Sequence, residues 1–170
     1  VKTIKSVPLT IPYKGRVLVQ GECMMTNKSF EEYNKTAEIP LKNPRNGVAG
    51  AVRNLDPKET AKRKLDFFCY DVLLIEGKTL STQKEMNGFI INQGFTTGHY
   101  FNELGGIDDA KKEIQAVDKV KDNLDVMIDG MVIKVADCSV RDDIGYTNKF
   151  PKWAMAYKFQ AVELSTTLLD

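Results

Sequence analysis

Leu65–Gly77 reads LDFFCYDVLLIEG, and the fold turns on how that run is understood. Its aromatic and branched residues, closed by Gly77, describe a buried strand. Working upstream, TIKSVPLTI (3–11) and RVLVQGECMM (16–25) alternate apolar and polar residues, which predicts two strands joined as a hairpin by a turn at Pro12–Gly15. Between them and the central run, SFEEYNKTA sets Glu32 three residues after Ser29, a capping-box signature for a short helix.

Downstream, Ser81–Gly94 has helical character with a glycine stop. DDAKKEIQAVDKVKDNL is the clearest helix, with Ile107, Ile114, Val117, Val120 and Leu124 on one stripe. VMIDGMVIKVAD and KWAMAYKFQA read as further strands. In the second, Trp153, Met155, Tyr157 and Phe159 form one face, expected to be core, and Ala154, Ala156 and Lys158 form the other. The pattern predicts an α+β fold of mostly antiparallel sheets with helices packed outside, in a single domain over 1–170. No internal repeat, low-complexity segment or linker interrupts it.

Composition narrows the function classes. At 170 residues, with 42% hydrophobic and 28% charged content, the chain suits one globular unit with a sizeable core. No apolar run approaches the roughly 18 residues that span a bilayer, and the first residues lack the pattern of a signal peptide, so a cytoplasmic, membrane-free protein is expected. Cys23, Cys69 and Cys138 are odd in number and form no CxxC pair, which argues against a zinc ribbon or a disulfide framework. The single histidine, His99, excludes a multi-histidine metal site and reads as structural. Net charge is only +1, yet Lys42–Lys64 holds seven basic residues against two acidic ones. That imbalance suits either a phosphate-facing patch or a solvated face.

Three strands each carry an awkward ionisable group. Glu22 interrupts an apolar strand, Asp129 and Lys134 flank or occupy another, and Lys158 projects beside two alanines. Asp129 and Lys134 are an odd number apart, so they share a site only if Asp129 lies in the preceding turn or a bulge intervenes, either of which Gly130 allows. KNPRNGVAGAVRNLDP (42–57) adds Arg45 and Arg53, about two helical turns apart; Gly47, Ala49, Gly50 and Ala51 would let that helix approach a sheet or ligand closely. Lysines, arginines and a carboxylate able to hold a divalent cation are equipment for gripping a phosphate ester. There is no Walker loop and no GxGxxG, so the grip would come from side chains.

Taken together, QGE, NPRNGVAGAVRNLDP, FFCYDV, IDGMVIKV and WAMAYKF stand in the order and at about the spacing found in the adenylation domain of bacterial NAD-dependent DNA ligases, covalent nucleotidyltransferases that this chain resembles over essentially its whole length. The resemblance implies a partial nucleotidyltransferase (ATP-grasp-like DNA ligase adenylation) architecture. It implies attack of a lysine on the α-phosphate of NAD, transfer of AMP to a 5′-phosphate at a nick in duplex DNA, and sealing by the 3′-hydroxyl. It also implies roles: Glu22 on the adenylate ribose, Tyr70 stacking on adenine, Arg45 and Arg53 on phosphates or nicked DNA. Asp129 would be the carboxylate associated with Mg2+, Lys134 would lie against the adenine, and Lys158 would grip the α-phosphate. Lys121 stands where the family has an arginine, keeping the charge and losing the bidentate fork.

The nucleophile motif KxDG is missing, because the one Asp-Gly, Asp129-Gly130, has Met127 two residues before the aspartate. The chain is therefore expected to be the C-terminal part of an adenylation domain, monomeric and inactive in self-adenylation alone, with zinc only in modules outside it. Two other readings fit the same residues: an ATP- or GTP-dependent nucleotidyltransferase, against which the NPRN stretch speaks, and a non-catalytic nucleotide- or nucleic-acid-binding module.

Overall fold

The structure is a computed structural model that describes residues 2–98 and 100–160; His99 and the TTLLD end lie outside them. The central run forms a strand, β2 (Asp66–Ile75), which pairs antiparallel with β1 (Val17–Met24) and briefly in parallel with β3 (Thr96–Thr97). Two register shifts interrupt the β1–β2 ladder. Leu18 pairs with Leu74 but Val19 with Val72, and Gln20 pairs with Asp71 but Gly21 with Cys69. Leu73 and Tyr70 are thus bulged residues, and both are exposed. At the second shift, a Cβ on Gly21 would stand 2.5 Å from the Phe68 carbonyl oxygen, so only glycine fits.

The expected hairpin from 3–11 does not form. Val7 N–H bonds back to the Ile4 carbonyl at 3.1 Å, which turns the chain, and Pro8 offers no N–H to a ladder. Ile4 is nonetheless buried with Met25, Ala51 and Leu65 in one of two apolar clusters. The Ser6 hydroxyl oxygen accepts from Phe67 N–H at 2.7 Å, taking the place of a ladder partner.

α1 (Asn27–Asn34) starts two residues before Ser29: Thr26 is its cap, accepting from Ser29 N–H, and so the Ser29–Glu32 pair does not act as a capping box. α4 (Gln83–Asn92) matches its expected span; Thr82 caps it, and Gly94 follows at φ +84, a conformation that favours glycine. Its Phe89 and Ile90 cover Cys69, Val72 and Leu80 to make the other cluster. α5 (Ile107–Val120) is followed by a 3-10 turn at Lys121–Asn123. Its buried stripe is Ala110, Ile114 and Val117, whereas Ile107 and Val120, expected on that stripe, are exposed.

A separate two-stranded antiparallel sheet joins β4 (Gly130–Lys134) to β5 (Ala154–Lys158), with pairs running from Gly130↔Lys158 to Lys134↔Ala154. The large-residue face of β5 is not core: Met155 is 53% and Tyr157 42% exposed. Two strands alone leave both faces partly open, as Val132 at 61% on the other face also records. The architecture is α+β, with small sheets and helices around them.

Candidate nucleotide and phosphate site

Register puts Lys134 and Lys158 on one face of the β4–β5 sheet, since Gly130, Val132, Lys134, Ala154, Ala156 and Lys158 occupy paired or alternate positions. Asp129 lies just before β4, as the sequence required if it was to join them. Its backbone carbonyl accepts from Phe159 N–H at 2.9 Å, and its Oδ2 accepts from both Lys158 Nζ and Arg45 Nη2, each at 3.2 Å. The Arg45 guanidinium, and then the Lys158 ammonium, hold the Asp129 carboxyl below its ordinary range. Arg45 and Lys158 are each 76% exposed, so both cations are open to a competing anion.

Arg45 comes from α2 (Pro44–Val52), the helix expected from the small-residue run. Asn43 caps it, accepting from Asn46 N–H at 2.8 Å, and Pro44 supplies the fixed φ of the first turn. Gly47 and Ala51 are buried, and a Cβ on Gly47 would stand 2.8 Å from Leu41 Cδ1 and 3.0 Å from Met25 Sδ. The Gly47 carbonyl accepts from Arg63 Nη1 at 2.5 Å, which fastens α2 to the end of α3 (Pro57–Lys62). The small residues therefore seat α2 against the core. Arg53, which caps the other end of α2, is exposed.

The second group lies at the other end of β4. Lys134 Nζ stands 5.4 Å from the centroid of the Tyr70 ring and 2.9 Å from Asp71 Oδ2. The bulge turns Tyr70 outward, to 42% exposure, while Asp71 beside it is 8% exposed. Burial first, then the charges of Glu22 and Asp71, push the Tyr70 phenol up. Glu22 is on the exposed face of β1, so it carries none of the desolvation cost expected of a carboxylate in an apolar strand.

Lys121 is apart from both groups. Its Nζ pairs with Asp118 at 2.7 Å and lies 4.8 Å over the Phe159 ring, on the side of β5 away from Lys158. Among the described residues no three His, Cys, Asp or Glu side chains cluster as a metal cage. Asp129 alone of the predicted site residues near Lys158 can offer a carboxylate ligand to a divalent cation.

Sequence reasoning passed over Asp71, Gln83 and Arg141. Arg141, at 5% exposure, donates to the Val135 carbonyl and to Gln83 Oε1, with its guanidinium 4.3 Å from the Trp153 ring. Gln83 Nε2 in turn donates to the Tyr70 carbonyl at 3.3 Å. Asp71 carried the same signal as Glu22, a carboxylate within an apolar strand. Arg141 carried none, because one partner is a backbone carbonyl and the other, Gln83, is distant in sequence.

The model for the NAD-dependent DNA ligase adenylation domain matches residues 1–162. A DNA ligase of Clostridium botulinum (strain Loch Maree / Type A3) is 51% identical over 170 residues, which is 100% of this chain and 26% of that protein. DNA ligase 2 of Clostridium acetobutylicum is 52% identical over 169 residues, 99% of this chain and 25% of that protein. The chain spans about a quarter of the length of these curated relatives. On the family match and the identity together, the chain belongs to the family of NAD-dependent DNA ligase adenylation domains.

Proposed function

We propose that this chain is the C-terminal part of the adenylation domain of a bacterial, cytoplasmic NAD-dependent DNA ligase, with the nucleotidyltransferase architecture of that family, and that it supplies the adenylate and phosphate grip for sealing nicks in duplex DNA. The observation that carries this reading is the sharing of the Asp129 carboxylate by Arg45 and Lys158, with Lys134, which faces Tyr70 of β2, on the same face of the β4–β5 sheet as Lys158. Lys134 and Lys158 are four ladder positions apart, about 13 Å along the strands. With their long side chains, that span accommodates a base at one end and a phosphate at the other.

In this reading the adenine of NAD stacks on the Tyr70 ring with the Lys134 ammonium against its edge, and Glu22 accepts from the ribose hydroxyls. The α-phosphate displaces Asp129 from Lys158 and Arg45, whose charges then meet the negative charge that spreads over the phosphoryl oxygens during transfer. Asp129 would supply a carboxylate ligand to magnesium bound with the substrate, whose charge would offset that on those oxygens. Arg53, exposed on the same helix as Arg45, contacts phosphates of the nicked duplex.

The nucleophilic lysine is absent from these motifs, so the chain by itself remains unlabelled after incubation with NAD carrying a labelled adenylate. In the ligase that carries this chain, labelled NAD forms a lysyl-adenylate, labelled ATP does not, and Lys158→Ala abolishes labelling without unfolding the protein. Label on the isolated chain, a preference for ATP, or full activity of the Lys158 variant would each overturn the reading.

A further inference from the structure

Asp71 has no part in the roles above, yet it is the buried carboxylate nearest to them. Both of its oxygens are engaged, Oδ1 by Val72 N–H at 3.0 Å and Oδ2 by Lys134 Nζ at 2.9 Å. Asp71 and Lys134 side chains are 11% and 19% exposed, so the pair is substantially withdrawn from water. Burying an ion pair seldom adds net stability over apolar residues of the same shape, whereas it fixes the partners' geometry. Lys134 has a flexible four-carbon stem, and an unrestrained ammonium would seek solvent. Here it is held instead at 5.4 Å from the Tyr70 ring.

The other jaw is anchored to the same short segment. Tyr70 is the bulged residue immediately before Asp71, and its carbonyl is held by Gln83 Nε2, which Arg141 braces through Gln83 Oε1. One step along β2 therefore sets both the Tyr70 ring and, through Asp71, the ammonium that faces it.

We infer that Asp71 is a positioning residue that holds Lys134 beside the Tyr70 ring and so sets where its ammonium meets the purine base stacked on that ring. This rests on the reading of Tyr70 and Lys134 as the base site. Asp71 touches neither base nor phosphate; it acts through Lys134. Its loss reduces binding of the base equally in the ground and transition states, which raises KM for NAD and leaves kcat nearly unchanged.

The test is a double-mutant cycle on self-adenylation by NAD in the ligase that carries this chain. Asp71→Asn, which keeps the shape and removes the charge, raises KM for NAD about tenfold or more. Its kcat at saturating NAD stays within about threefold. In a Lys134→Met background the same substitution changes KM by less than about twofold, because the residue it acts through is gone. If Asp71→Asn alone fails to fold, the double variant leaves neither partner unpaired; a KM equal to that of Lys134→Met supports the assignment and a higher one overturns it. An equal rise in both backgrounds, or no rise in either while Lys134→Met still raises KM, overturns the role of Asp71 and leaves the base site standing. Unchanged KM in Lys134→Met removes the base site and this inference with it.

Discussion

Gly130→Ala is the smallest change that should dismantle the phosphate end of the site. Gly130 pairs with Lys158 across the β4–β5 ladder, and a Cβ added there would collide with the Tyr157 carbonyl oxygen and stand 3.0 Å from Lys158 Cα. Both are backbone atoms of the facing strand, so no side-chain rotation relieves the clash. Its φ is not among the positive ones, which makes space and not conformational freedom the reason for glycine. Alanine must therefore push β5 away from β4 where Asp129 and Lys158 meet. Overpacking of this kind costs about 1–3 kcal/mol, and loss of the Phe159 N–H to Asp129 carbonyl bond adds about 1 kcal/mol. A total of about 2–4 kcal/mol lowers the melting temperature of a domain of this size by roughly 4–16 °C. Adenylation should fall as well, since the pushed strand carries Lys158. Gly88→Ala in α4 is the control: a Cβ there meets nothing within 4 Å, and the exchange adds up to about 1 kcal/mol of helix stability. Calorimetry on both variants decides the matter. A Gly130→Ala protein that melts within about 1 °C of the parent, or that melts low but adenylates normally, would refute the reasoning.

Two further outcomes follow from single residues. Asp129 has its folded pKa depressed by Arg45 and Lys158, so its contribution is present above the unfolded value of about 3.9 and is lost as pH falls through the folded value. Because Arg45 and Lys158 are each 76% exposed, that contribution is about 0–1 kcal/mol and fades in high salt; an NMR titration placing the Asp129 carboxyl at or above its ordinary value would contradict it. Arg141→Met keeps the bulk beside Trp153 but strands the Val135 carbonyl and Gln83 Oε1, and should cost at least about 2 kcal/mol by chemical denaturation. An unchanged midpoint would mean that these bonds add nothing.

What the sequence made legible was local. The central strand, the glycine-stopped helix, and the helix of small residues each rest on signals within a few residues: apolar runs, caps and Pro-Gly punctuation. Readings of how a strand is paired or covered, which need a distant partner, differ from the structure. The alternation in 3–11 looked like a strand, yet a turn at Ile4–Val7 and a hydroxyl bond to Phe67 replaced the ladder. The large face of β5 reads as core, but among the described residues nothing buries Met155 and Tyr157. Of two carboxylates in apolar strands, Glu22 drew the attention and proved exposed, because the alternation of β1 points it outward. A bulge, invisible in composition, turned Tyr70 out and left Asp71 beneath it.

That bulge also bears on why the two sheets hold a defined relation. β2 and β4 share no ladder, so nothing in the backbone pairing of either sheet sets where Lys134 stands relative to Tyr70. The connection is made by directional polar contacts: Lys134 to Asp71, Gln83 N–H to the Ala136 carbonyl at 2.9 Å, Cys138 N–H to the Ser81 carbonyl at 2.8 Å, and the Arg141–Gln83 bond. An apolar seam would be non-directional and would tolerate sliding with little change in buried area. Hydrogen bonds weaken steeply with angle and distance, so a shift of an ångström between the sheets breaks several at once. Polar residues at this junction therefore act on the geometry of the base site as well as on the stability of the fold. Asp71→Asn, which leaves the withdrawn Lys134 ammonium without its partner, should therefore raise KM and cost stability, and Arg141→Met, which strands buried acceptors, should do the same.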